Sequence, residues 1–228
     1  MPPPPVIETP HLRLREFCAD DRAALVRMHH DARVRSHLLD DWPLDQPLVA
    51  QTFIERLQAI YRGGRGLGIW HAERRVEPEP ALLAAARAAD DLSDAALALL
   101  GPRWAFCGWF NLMAMPGRAD RIEIGCRLVP TAWGQGLALE GGEALLEHGF
   151  VRLGLREVWG LCDPGHRSVQ LCLRTLGFRP LGPTRYDGRP ALQHWIDAPG
   201  WRVAAALPRR QRARAALREL SVGDAAAA

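Results

Sequence analysis

Lysine is absent from the 228-residue chain. All 29 basic residues are therefore arginine, against 26 acidic ones, and the heavy alanine, glycine and proline usage beside them is the composition of a GC-rich genome rather than a demand for guanidinium. A Walker-type phosphate loop, which sets a lysine directly after its second glycine, is excluded at once. Cysteine is scarce and scattered: Cys18, Cys107, Cys126, Cys162 and Cys172 are odd in number and form no CxxC pair. Neither a disulfide framework nor a metal site is indicated, and a reducing, cytoplasmic setting follows. No uninterrupted apolar run approaches the about 18 residues of a membrane span, and the opening MPPPPVIETP lacks the basic and apolar regions of a signal peptide. The net charge of +3 is too small and too dispersed to announce nucleic acid; only PRRQRARAALREL is concentrated. Neither nucleic acid nor membrane is an expected partner, and no internal repeat is visible.

What is present, 48% hydrophobic and 24% charged residues, suits one main core. HLRLREF alternates apolar and polar residues, and CADDRAALVRMHH supplies aspartates to cap a helix. After the Trp-Pro break in DDWPLDQP, LVAQTFIERLQAIY has helical spacing and GGRG ends it before the strand-like LGIWHAER. The first third reads strand, helix, helix, strand. Residues 76–102 turn alanine-rich between prolines and predict a helical insertion. RWAFCGWFNLM and RIEIGCRLV then form a hairpin, followed by a helix through EALLEHGFVRLG, a strand at REVWGLC, a helix at HRSVQLCLRTLG, and strands at FRPL and ALQHWID. The expected layout is a flexible N-terminus over 1–10, one domain over 11–198, and a basic helix or tail over 199–228.

The stretch TAWGQGLALEGG stands where a strand ending at Val129 becomes a helix. The first N–H groups of a helix have no intrahelical acceptor, and Gly134 and Gly136 let the backbone approach a ligand without a Cβ in the way. A diphosphate would satisfy those donors and the helix dipole together. The dinucleotide fingerprint would need a third glycine where Leu139 stands.

With its flanks, IEIGCRLVPTAWGQGLALEGGEALLEHGF followed by LREVWGLCDPGHRSVQLCLRTLGFRPLG resembles the GNAT acyltransferases, and within them the RimJ/RimL type of ribosomal-protein N-acetyltransferase. The likeness rests on the strand EIG, the turn WGQGLA and the helix closing in LGF, in that order, and extends from about Leu12 to Trp195. It implies an α+β fold with a mostly antiparallel sheet of about seven strands flanked by helices. It also implies acetyl-CoA as cosubstrate, its pyrophosphate on the N–H groups of Trp133, Gly134, Gln135, Gly136, Leu137 and Ala138, and its pantetheine in a splay bordered by Cys126, Leu128 and Val129. An amine acceptor, a protein N-terminus or a small molecule, would attack the thioester directly, with the oxyanion held by a backbone N–H near Gly125 or Cys126.

Glu123 is the expected base, the alternative being a surface glutamate paired with Arg121 or Arg127. His71 is the reserve, with a structural role competing. The position where many of the family carry an acidic tyrosine is Leu173; His166 and Ser168 are the substitutes, with His166 also a contact for CoA. A covalent route through Cys126 competes with simple packing. Asp40, Asp41 and Trp42 are candidates for contact with the acceptor, through two acids that would attract a cationic amine or simply cap a turn. Acetylation of an aminoglycoside-type antibiotic, a CoA-binding module without catalysis, and a homodimer built on the insertion or the tail all stay open.

Overall fold

The structure is a computed structural model that describes residues 3, 5–81, 84 and 101–225. The interior of the expected helical insertion lies outside the described residues, between a strand that ends at Val76 and one that begins at Arg103.

Eight strands form one sheet: β1 (Pro5–Glu8), β2 (Leu12–Arg15), β3 (Gly68–Val76), β4 (Arg103–Met115), β5 (Arg118–Leu128), β6 (Glu157–Cys162), β7 (Arg179–Tyr186) and β8 (Arg189–Asp197). Their order is β1-β2-β3-β4-β5-β6-β8-β7. All neighbours are antiparallel except β5 and β6. The count exceeds the seven expected because Pro5–Glu8, in the segment expected to be flexible, pairs with β2. Prolines lack a ladder donor and are tolerated only at sheet edges, which is where β1 lies.

Among the described residues seven helices flank the sheet: α1 (Arg22–His30), α2 (Ala32–Arg35), α3 (Pro47–Arg62), α4 (Leu137–Glu147), α5 (Arg167–Thr175), α6 (Ala198–Ala205) and α7 (Arg209–Ala225). The period-two alternation of the strands divides two cores. Phe17, Leu25, Met28, Leu44, Ile54 and Leu57 pack with Trp109 on the face covered by α1, α2 and α3. Trp70, Phe110, Leu112, Ile124, Leu145, Leu146 and Leu176 pack on the other, under α4, α5 and α6. Of the helix after the glycine turn and the turn of chain that follows it, Leu145, Leu146 and Phe150 are buried, whereas His148 is half-buried and bonds the Gly66 carbonyl.

Helix α4 is tied on both sides. Glu140 accepts from the Thr9 hydroxyl at 2.6 Å and the His11 N–H at 2.9 Å, and pairs with the His11 ring. Glu143 pairs with Arg209 and Arg212 of α7. Arg212 is buried and also donates to the Thr175 carbonyl at 2.7 Å, so the basic tail is docked on the domain.

Candidate active site

The parallel strands β5 and β6 pair only at Glu123 with Trp159 and Ile124 with Gly160. Beyond that point β5 stays with β4 as far as Leu128, while β6 follows β8 as far as Cys162. The sheet therefore opens as a wedge. Val129 N–H donates to the Cys107 carbonyl at 2.9 Å. By the alternation of an antiparallel ladder, the odd residues of β5 bond β4, and Cys126 and Leu128 turn their main-chain groups to the wedge. The Leu128 carbonyl is taken by the Trp133 indole N–H at 2.9 Å; the Cys126 N–H faces the opening.

The cradle sits at the wide end. Gly134 and Gly136 have φ of 73° and 76°, a left-handed conformation that side chains resist, and a Cβ on either would project into open space. Gly136 caps α4, and the N–H groups from Gly134 through Leu139 have no acceptor among the described residues. Trp133 N–H is different, being bonded to the Pro130 carbonyl at 3.2 Å. Gln135 accepts from Arg74 at 3.3 Å, bringing a cation beside the turn. Donors without acceptors, a dipole and an adjacent guanidinium fit a diphosphate. Cys126 and Leu128 on β5, with Val129 just past its end, lead up to this cradle.

Glu123 lies on the opposite face of β5, with α1 and α3 rather than with α4. Neither arginine expected to pair with it does so. Arg127 instead meets Asp40 at 2.6 Å and stacks on Trp109, while Arg121 lies over the Trp159 ring at 4.0 Å. Among the described residues the one partner of Glu123 is Tyr186, whose hydroxyl donates to Oε1 at 3.4 Å, and Oε2 is buried without a bond. Burial pushes the carboxyl from 4.5 up to about 7, against the smaller opposing pull of the tyrosine. A carboxylate poised at neutrality is what a general base requires. Tyr186 escaped the sequence reading because RYDGRP reads as a turn, whereas β7 runs through Pro180 and Pro183 at the free edge of the sheet.

His71 is elsewhere. It is 2% exposed, beneath α1, with Nε2 3.3 Å from both Asp21 and Arg15. Arg15 forks onto Asp21 through two bonds of 2.7 Å, and burial pushes His71 down to about 4. That is the structural role foreseen as its alternative, closed off from the cleft.

Asp40 and Asp41 are both matched by arginine, Asp40 by Arg127 and Asp41 by Arg189, which leaves little net charge to attract a cationic amine. Arg127 also donates to His29 Nε2 at 2.9 Å, while the His29 Nδ1–H donates to the Leu25 carbonyl at 2.8 Å. This arrangement holds a neutral ring, in agreement with the burial that pushes His29 down to about 4. Trp42 is 46% exposed at the rim, edge-on to Phe53.

On the β6 side, His166 precedes α5. Its Nδ1 is 3.1 Å from Ser168 Oγ and its ring 4.4 Å from that of His37, which in turn contacts Asp163 at 3.2 Å. Burial first, and His37 second, hold His166 below its ordinary value. Leu173 is 6% exposed and packs where a Cβ on Gly160 would stand, so its position serves the core. Cys126 is exposed along the wedge, yet enough protein surrounds it that desolvation pushes its thiol up to about 12, with no cation to offset the effect. A thiolate nucleophile is not favoured there.

The sequence matches the family described as Acetyltransferase (GNAT) domain over residues 11–179. It is 42% identical over 62 residues to an FsC-acetyl coenzyme A-N(2)-transacetylase of Aspergillus fumigatus, a stretch covering 24% of this chain and 26% of that protein. It is 24% identical over 182 residues to the uncharacterized N-acetyltransferase YoaA of Bacillus subtilis, covering 79% of this chain and 86% of that one. Among solved structures, RimL, a ribosomal L7/L12 alpha-N-protein acetyltransferase in complex with coenzyme A, superposes with a TM-score of 0.59 at 15% identity, covering 83% of this chain and 95% of the other.

Proposed function

The chain belongs to the GNAT acetyltransferase family, and we propose that it moves an acetyl group from acetyl-CoA to a primary α-amine, on a protein N-terminus or a small molecule, with Glu123 as the base. The observation that carries this reading is Glu123 itself: a carboxyl raised to about 7 one residue from the point where β5 and β6 part. At pH 7 a lysine-type amine costs about 4.6 kcal/mol to neutralise, an α-amine only about 1.4. A base with a pKa near 7 is matched to the second task.

Acetyl-CoA would supply the thioester, held through its diphosphate by the N–H groups from Gly134 to Leu139. Glu123 takes the proton of the ammonium, directly or through water. Cys126 N–H, turned to the wedge, donates to the carbonyl oxygen as charge develops there. Ser168 and His166 form the O–H and imidazole pair closest in kind to the missing tyrosine, and a proton for the departing thiolate comes from them. The cradle and the RimL likeness support a place in the RimJ/RimL subgroup, and five free cysteines support a cytoplasmic setting.

Thermal shift with CoA and thiol release from acetyl-CoA test the reading together, over N-terminal peptides, polyamines and aminoglycosides. Stabilisation by CoA and turnover on α-amines are expected. Stabilisation without turnover on any amine would leave a binding module, and no response to CoA would overturn the donor site.

A further inference from the structure

Beside the Glu123–Tyr186 pair lies a cavity of about 350 Å³, between the turn joining β4 to β5 and the turn joining β7 to β8. Its lining is charged in one sense. Arg118, Arg121 and Arg185 face it against a single acid, Asp187, and Tyr186 is part of the same wall. Arg121 shares the face of β5 that carries Glu123 and is two residues away, which sets the two side chains roughly 6–7 Å apart along the strand. Its guanidinium carbon lies over the Trp159 ring, 4.0 Å from the centroid, a cation–π contact that holds the charge beside the cavity. Arg185 spends one N–H on the neutral Gly188 carbonyl at 2.6 Å, which leaves its charge uncancelled. Among the described residues Arg118 meets only the exposed Asp120, at 3.4 Å, a contact worth little in water.

We propose that this cavity binds an anionic group of the acceptor, so that the enzyme selects amines bearing a carboxylate or phosphate roughly 6–7 Å from the reacting nitrogen. In a peptide, the side chain of the second residue reaches about that far from the α-amine, given about 3.8 Å between successive Cα atoms. An N-terminus followed by an acidic residue is thus the matching acceptor. Planar guanidinium groups fork onto either oxyanion, and phosphate would bind by the same edges. The assignment rests on the acetyl-transfer reading for which nitrogen reacts; where the anion sits does not depend on it.

The test is calorimetric titration of the CoA-saturated protein with matched N-terminal peptides carrying aspartate, phosphoserine, alanine or arginine at the second position, alongside acetyl transfer to the same peptides. The aspartate or phosphoserine peptide should bind at least about tenfold more tightly than the arginine peptide, and whichever of the two binds better names the anion. Charge reversal at the exposed Arg118 and Arg185, written Arg118→Glu with Arg185→Glu, should abolish or invert that preference and raise the acceptor KM, leaving the KM for acetyl-CoA in place. The single exposed change Arg118→Gln should weaken the preference in the same direction should the double variant melt early. Equal or tighter binding of the arginine peptide, or a preference untouched by charge reversal, would overturn the proposal. Absence of transfer with the binding preference intact would instead count against the acetyl-transfer reading alone.

Discussion

Tyr186 reaches from the last turn of the sheet to donate its hydroxyl hydrogen to Glu123 Oε1, 3.4 Å away, and is the only side chain among the described residues bonded to that carboxylate. Burial, and the Asp40 charge less strongly, raise the carboxyl while this bond lowers it, so its titration is set by opposed effects. Removing the hydroxyl tips the balance upward. In Tyr186→Phe the rising limb of kcat/KM against pH should move to higher pH, with the plateau retained within about threefold, since the base itself is intact. A limb that stays in place would detach Tyr186 from the titration.

Glu123→Gln removes the proposed base. At pH 7 kcat/KM for an α-amine should fall by about 10² or more, with the limb near neutrality lost and the loss shrinking as the amine deprotonates unaided in alkali. Steady-state rates across pH measure this, and an unchanged profile would remove Glu123 from the reaction.

The same substitution has an effect on stability whose sign is opposite to that of an ordinary paired acid. Between about pH 4.5 and about pH 7 the folded protein keeps a proton on Glu123 that the unfolded chain has already released. Wild-type stability therefore falls as pH rises through that window, by roughly 3 kcal/mol at about 1.36 kcal/mol per unit. Glutamine does not ionise, so the variant should match wild type below the window and exceed it above. Urea unfolding at both ends of the range reads the difference.

Around His71 the expectation is structural. Arg15 and Asp21 are each 8% exposed at the side chain and joined by two bonds, so Arg15→Met leaves Asp21 buried without its partner and should cost about 3–5 kcal/mol. His71→Gln should lower the melting temperature while leaving the pH dependence of catalysis where it was. A shift in that dependence would restore His71 as a base.

At the cradle, Gly136→Ala forces a side chain into a left-handed conformation, at a cost of about 1–2 kcal/mol, and aims a methyl group at the space where a diphosphate would lie. The Kd for CoA should rise about tenfold or more, read by calorimetry, with acceptor binding unaffected.

Sequence patterning made the cradle legible because its signals are local: a strand, two glycines at fixed spacing, and a helix. The two faces of β5 were equally legible from alternation, which separates Glu123 from Cys126. Pairings were not legible, because they depend on segments far apart in the chain. Arg127 meets Asp40 from 87 positions away and Tyr186 meets Glu123 from 63, so the expected arginine neighbours of Glu123 gave way to others. The edge strand β1 was hidden by proline, whose missing donor argues against a strand everywhere except the place where one side of the strand is unpaired, and the other edge strand, expected at FRPL, continues through Pro183 to Tyr186. His71 looked available because its strand carries other site-like residues; its closure is a property of Arg15 and Asp21, which the local pattern does not join to it.

The ties on α4 also shape the field that a diphosphate would meet. Glu140 and Glu143 lie within the first two turns of a helix whose open end offers bare N–H groups, and two carboxylates there would repel an arriving anion. Each is matched before any ligand comes, Glu140 by Thr9 and His11, Glu143 by Arg209 and Arg212. Recognition of the donor thus begins with counter-charge drawn from both ends of the described chain, at residues outside the cradle itself.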